Sequence, residues 1–91
     1  MITEAEFRKT LAAQGFDAPV EAVRNANFAT TEHIHEFTAS ALILEGRLTV
    51  VAATGTTTCG PGETFTLASG VPHHEEYGPE GARFLIGKRI P

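Results

Sequence analysis

From residue 20 onward the chain is interrupted by turn-forming residues about every eight positions, and that rhythm leaves room for little except short antiparallel strands. The signals stand at Asn25 to Asn27, Glu45-Gly46, Gly55, Gly60-Pro61-Gly62, Gly70 and Gly78-Pro79. Between them lie stretches rich in Thr and β-branched residues, which predict strands over 20–24, 30–38, 40–45, 47–53, 56–59, 63–67, 71–77 and 82–89. The start of the chain is different. Thr3 can cap a helix with Glu6 three residues on, Phe7 and Leu11 share one face at i, i+4, and Gly15 is placed to end it. Asp17-Ala18-Pro19 then breaks the chain. Residues 1–16 therefore read as a helical extension and residues 17–91 as one all-β domain.

At 91 residues only one hydrophobic core fits. So small a domain buries only about 60 to 65% of its unfolded surface, so a partner surface would help it. Leu42, Ile43 and Leu44 are apolar on both faces of their strand, as are Leu48, Val50 and Val51, whereas a sheet wetted on one side would alternate. The outer face is therefore expected to lie under either the N-terminal helix or a second copy in a homodimer. Seven basic against eleven acidic residues give a net charge of −4, without the basic stripe that nucleic acid requires. Lys88-Arg89 reads as a solvated strand end. The longest strongly apolar stretch, Ala41 to Leu44, is far too short to span a membrane. A single cysteine, Cys59, and the absence of a signal-like start point to the cytoplasm.

The chemistry lies in the histidines. In His33-Ile34-His35 the imidazoles stand at i and i+2, so on a strand both project from one face about 6.6 Å apart and can converge on one metal ion. His73-His74 follows some forty residues later, enough chain for a small antiparallel barrel to return to the same interior. Three His ligands leave coordination positions open for water or substrate. Adjacent strand residues face opposite ways, so His73 and His74 cannot both point inward, and parity alone does not choose between them.

At these residues the chain resembles the cupin family, across residues 20–91 and in two motifs. Asn27, His33, His35, Ala39 and Gly46 stand where the first cupin motif has Gly, His-x-His, Glu and Gly. Gly62, Ala68, Gly70 and His73 stand where the second has Gly, Pro-x-Gly and His, and the short intermotif spacing is of the bacterial kind. The resemblance implies a small antiparallel β-barrel or jelly roll and selects His33, His35 and His73 as ligands of one divalent ion. It also marks two departures: Ala39 replaces the usual Glu ligand and Tyr77 the usual final Asn. Glu75 shares the strand face of His73 at i+2 and is the candidate fourth ligand, or the group that orients an imidazole. Glu36 should point outward.

A His₃ set accepts Zn, Fe, Ni, Cu or Mn. Two functions are compatible with it. The first is a metal-loaded module that binds a small molecule. The second is a metal-dependent dioxygenase or isomerase acting on a small chelating substrate, with Glu75 or Tyr77 as acid or base. An emptied metal site with a purely structural role is a third reading. Glu36, His74 and Glu76 read as a solvated face, Phe37, Phe65 and Phe84 as core or pocket wall, and Cys59 as a small buried hydrophobe. Tyr77 and Arg83 are within reach of the pocket mouth.

Overall fold

The computed structural model describes all 91 residues. The helix α1 spans Glu4–Ala13. Its capping box is complete: the Glu6 amide donates to Thr3 Oγ1 at 3.1 Å and the Thr3 amide to Glu6 Oε1 at 3.1 Å. Those bonds hold the exposed Glu6 carboxyl below its ordinary range. At the other end the Phe16 amide bonds back to the Leu11 carbonyl, which brings Phe16 beside Phe7 and Leu11.

Five strands follow: β1 (Val20–Arg24), β2 (Thr38–Ala52), β3 (Gly55–Cys59), β4 (Thr64–Leu67) and β5 (His73–Arg89). All pair antiparallel, in the order β1-β5-β2-β3 with β4 also on β2. The two long strands run through both halves of the molecule. The first half of β2 lies between β4 and the second half of β5; its second half lies between β3 and the first half of β5.

Two expected turns are therefore corrected. Glu45-Gly46 and Gly78-Pro79 do not end strands; they are register shifts inside β2 and β5, so expected strands 40–45 and 47–53 are one strand, as are 71–77 and 82–89. The bulges reverse the inward parity. In β2, Ala41 and Ile43 face the core before the shift, and Leu48 and Val50 after it; in β5, Tyr77 gives way to Ala82 and Phe84. An extra residue does this wherever it enters a ladder, since the side-chain period is two. Gly46 permits the crossing: its φ is +79°, and a methyl group there would overlap the Gly81 carbonyl.

Residues 30–38, expected as a strand, form none before Thr38. The segment runs beside β5 with only two isolated bridges, Ala29 to Glu76 and His33 to His73, and between them it advances four residues against three. Thr30 causes the slip, because its hydroxyl accepts the Glu75 amide at 2.9 Å while its own amide donates to the Glu75 carbonyl.

Two apolar clusters result. Ala41, Ile43, Leu48, Val50, Cys59, Tyr77, Ala82 and Phe84 fill the barrel. Phe7, Leu11, Phe16, Leu42 and Leu85, with Leu44 at the margin, join the helix to the outer sheet face. The helix is thus the cover over Leu42 and Leu44, while Leu48 and Val50 point inward. No helix is long and apolar enough to cross a membrane.

Candidate metal centre and its pocket

The first strand of the site, β5, begins with His73, Glu75 and Tyr77 on its inward face. Parity turns His74 and Glu76 outward, where they pair with each other at 2.9 Å. The irregular segment beside β5 supplies His33 and His35, which alternate with exposed Ile34 and Glu36. So the two histidines share a face although no regular strand carries them; the backbone bonds between His33 and His73, at 2.8 and 3.0 Å, fix their depth instead. The ring centroids lie 4.4 Å apart for His33 and His73, 4.8 Å for His33 and His35, and 5.0 Å for His35 and His73.

Hydrogen bonding sets the tautomers of two of these rings. Nδ1 of His33 lies 2.7 Å from the Thr31 carbonyl and Nδ1 of His73 lies 2.9 Å from the Val71 carbonyl. A carbonyl only accepts, so each Nδ1 carries the proton and each neutral ring presents a bare lone pair at Nε2. Both Nε2 atoms face one carboxylate oxygen, Glu75 Oε2, at 3.1 Å from His33 and 3.6 Å from His73. With both rings neutral, these three atoms are all acceptors and could all serve one cation. The potential ligand atoms of His33, His35, His73 and Glu75 all lie within 4.8 Å of one another. Ligands bound at about 2.1 Å to one ion sit roughly 3 to 4 Å apart, so side-chain movements of about 1 Å would close such a shell.

Ala39, at the position of the family's usual Glu, lines a small recess with His35, His73 and Glu75. The carboxylate in this recess is that of Glu75, from β5. The Tyr77 hydroxyl donates to Glu75 Oε1 at 3.1 Å, leaving Oε2 to the histidines. Burial, followed by the adjacent Glu75 charge, pushes the Tyr77 hydroxyl well above its ordinary pKa, so it stays a donor. His35 stacks on Phe37 with centroids 4.6 Å apart. Burial and then the neighbouring His33 and His73 hold its pKa below the ordinary value.

A cavity of about 560 Å³ opens over the cluster. Its walls include Val20, Ala22, Phe28, Phe37, Phe84 and Ile86, with Thr30 beside Glu75. Phe37 and Phe84 are thus pocket walls, while Phe65 packs against the core. Two lining residues escaped the sequence reading. Lys88, expected at a solvated strand end, reaches the cavity with its ammonium 4.6 Å from the Phe37 ring, and Arg24 reaches it from β1 over Phe84. The signal was parity: Phe84, Ile86 and Lys88 share one face of β5, and Val20, Ala22 and Arg24 one face of β1. Arg83 does not reach the pocket mouth, because Glu21 and Glu45 hold it at 2.8 and 3.1 Å on the outer surface. Cys59 is buried, and burial raises its thiol pKa.

No curated protein sequence matches the chain. Solved structures do. A Rhizobium leguminosarum protein of unknown function superposes with a TM-score of 0.73 at 17% identity, covering 100% of this chain and 98% of that one. The cupin domain of Schizosaccharomyces pombe Cnp3 gives a TM-score of 0.72 at 18% identity over 85% of this chain and 57% of the other. The polyketide cyclase RemF of Streptomyces resistomycificus gives 0.66 at 31% identity over 78% and 52%. The chain thus spans little more than half of the last two. The family profile of the AraC-like ligand-binding domain matches residues 19–86. The inward-facing histidines therefore sit in a fold shared with a wide set of cupins, and the chain belongs to the AraC-like ligand-binding domain family of that superfamily.

Proposed function

We propose that this protein is a metal-loaded small-molecule binding module: His33, His35, His73 and Glu75 hold one divalent ion, and the cavity above it takes the ligand. The observation that carries this reading is the convergence of two Nε2 atoms on one carboxylate oxygen, with the Nδ1 of each ring bonded from behind to a backbone carbonyl. Carbonyl partners of this kind orient metal-binding imidazoles and raise their basicity. When bound, the ion would supply positive charge and open coordination positions to a chelating ligand. Glu75 would fill the place that Ala39 leaves without a carboxylate, with its free oxygen held by Tyr77.

The test is elemental analysis of protein purified without an affinity tag, together with Zn²⁺ titration of the stripped protein by calorimetry. One ion per chain is expected. A stoichiometry well below one that does not change in His33→Ala overturns the reading.

A second reading, a metal-dependent enzyme, draws on the 31% identity to RemF, which is described as a polyketide cyclase. Tyr77 and Glu75 then have the placement to pass a proton to a ligand held on the ion. Turnover of a chelating dicarbonyl by the metal-loaded protein, lost in Glu75→Gln, would favour it. Assembly as a homodimer fits the free edge of β1, where Val20 and Val23 are 61% and 62% exposed, and light scattering giving monomer mass would reject it. A reducing cytoplasmic setting suits the lone buried thiol.

A further inference from the structure

We propose that the ligand of this pocket is a small organic acid with an apolar body, its carboxylate recognised by Arg24 at one end of the cavity or by Lys88 at the other. This rests on the reading of the cavity as a ligand pocket but not on the metal. Arg24 and Lys88 stand at the ends of two parallel rows of inward side chains, Val20-Ala22-Arg24 on β1 and Phe84-Ile86-Lys88 on β5. Because Val20 pairs with Ile86 and Arg24 with Ala82, the two cations lie toward opposite ends of the cavity with an apolar wall between them.

Neither cation has a carboxylate partner. Lys9, Arg47 and Arg89 are also without one, so it is the position of Arg24 and Lys88 on the cavity lining that sets them apart. Each pocket cation instead lies over an aromatic ring, Arg24 5.7 Å from the Phe84 centroid and Lys88 4.6 Å from that of Phe37. Such contacts hold a cation in place without neutralising it. The one carboxylate in the lining, Glu75, is turned to the histidines and accepts from Tyr77, and it pairs with neither cation. Neutral polyols fit poorly: half of the twelve lining residues are hydrophobic, and the Thr30 hydroxyl is already an acceptor for the Glu75 amide. A carboxylate gains a bidentate guanidinium or an ammonium at either end, and its body gains Val20, Ala22 and Ile86. The volume of about 560 Å³ suits a ligand of one or two rings.

The experiment titrates naphthalene-2-carboxylate and its neutral amide into metal-free and Zn²⁺-loaded protein, following ligand fluorescence and the NMR signals of Phe84 and Ile86. The acid is expected to bind about tenfold more tightly than the amide in both forms, from one charge-assisted contact. The Arg24→Gln/Lys88→Gln double variant, checked as folded by circular dichroism, should bring the acid down to the level of the amide. Equal binding of acid and amide, no binding of either, or an acid preference that survives in the double variant overturns the proposal. If Zn²⁺ fails to bind while the acid preference and its loss stand, only the metal assignment falls.

Discussion

The sharpest distinction in this structure is between two adjacent imidazoles, and it yields a quantitative test. His73 is 2% exposed with its Nε2 facing Glu75, whereas His74 turns to the surface and pairs with Glu76. A ligand that binds only the folded state stabilises it by RT ln(1 + [L]/Kd), about 2.7 kcal/mol at a hundredfold excess over Kd. In a domain of this size each kcal/mol moves the melting temperature by about 4 to 8 °C. Zn²⁺ at that excess should therefore raise the midpoint of the stripped protein by about 10 to 20 °C. His73→Ala should abolish the rise, because one of the converging ligands is gone; His74→Ala should keep it in full. Each variant is compared with its own metal-free midpoint, since loss of a buried imidazole also weakens packing. His33→Ala, whose ring is only half-buried, repeats the test at less cost to the fold. Differential scanning fluorimetry over a Zn²⁺ series reads the shift directly. A full shift in His73→Ala, or its loss in His74→Ala, would refute the assignment of the inward face.

Three further outcomes follow from the same geometry. Tyr77→Phe removes the hydroxyl that holds Glu75 Oε1 and should weaken Zn²⁺ binding by about 10- to 100-fold in calorimetry, with unchanged affinity counting against an orienting role. Leu11→Ala empties a fully buried position between the helix and the sheet and should cost about 2 to 5 kcal/mol in urea unfolding; a cost well under 1 kcal/mol would mean that the helix does not hold the outer face. Acid should act in one direction. The fold disfavours protonated His35, so the unfolded chain takes up a proton that the folded ring refuses, and metal-free stability should fall as pH drops below about 6.5. Zn²⁺ affinity should fall over the same range, as protons compete for the imidazoles. Stability that rises on acidification would contradict this.

Much of the architecture was legible because turns are local. The helix cap needs only Thr3, Glu6 and Gly15, and the strands 20–24, 56–59 and 63–67 need only their flanking Gly and Pro residues. The long strands were not legible for a related reason. Glu45-Gly46 and Gly78-Pro79 have the chemistry of turns, and only the cross-strand partner decides whether a glycine with positive φ closes a hairpin or permits a bulge. Segment 30–38 misled in another way: its residues favour extended backbone, yet the Thr30 hydroxyl takes a bond that a regular ladder would give to a carbonyl. His33 and His35 lie on one face all the same, because alternation does not need a regular ladder, and it was the cupin resemblance, not parity, that chose His73 over His74. For Arg24 and Lys88 the face was legible from parity with Ala22 and Ile86, but a charged residue at a strand end is ordinarily solvated, and only the fold shows that this face lines a cavity.

The passage of β2 and β5 through both halves of the molecule also governs how the chain reaches this state. Their pairing joins residues such as Thr38 and Arg89 that are far apart in sequence, so a long loop must close before most of the sheet can form. High contact order of this kind places folding in the millisecond-to-second range. Neither half-sheet has a backbone of its own, so neither can persist as a separate folding intermediate. The histidine end and the helix end are expected to melt together, in one transition with the same midpoint whether followed by backbone or by aromatic signals.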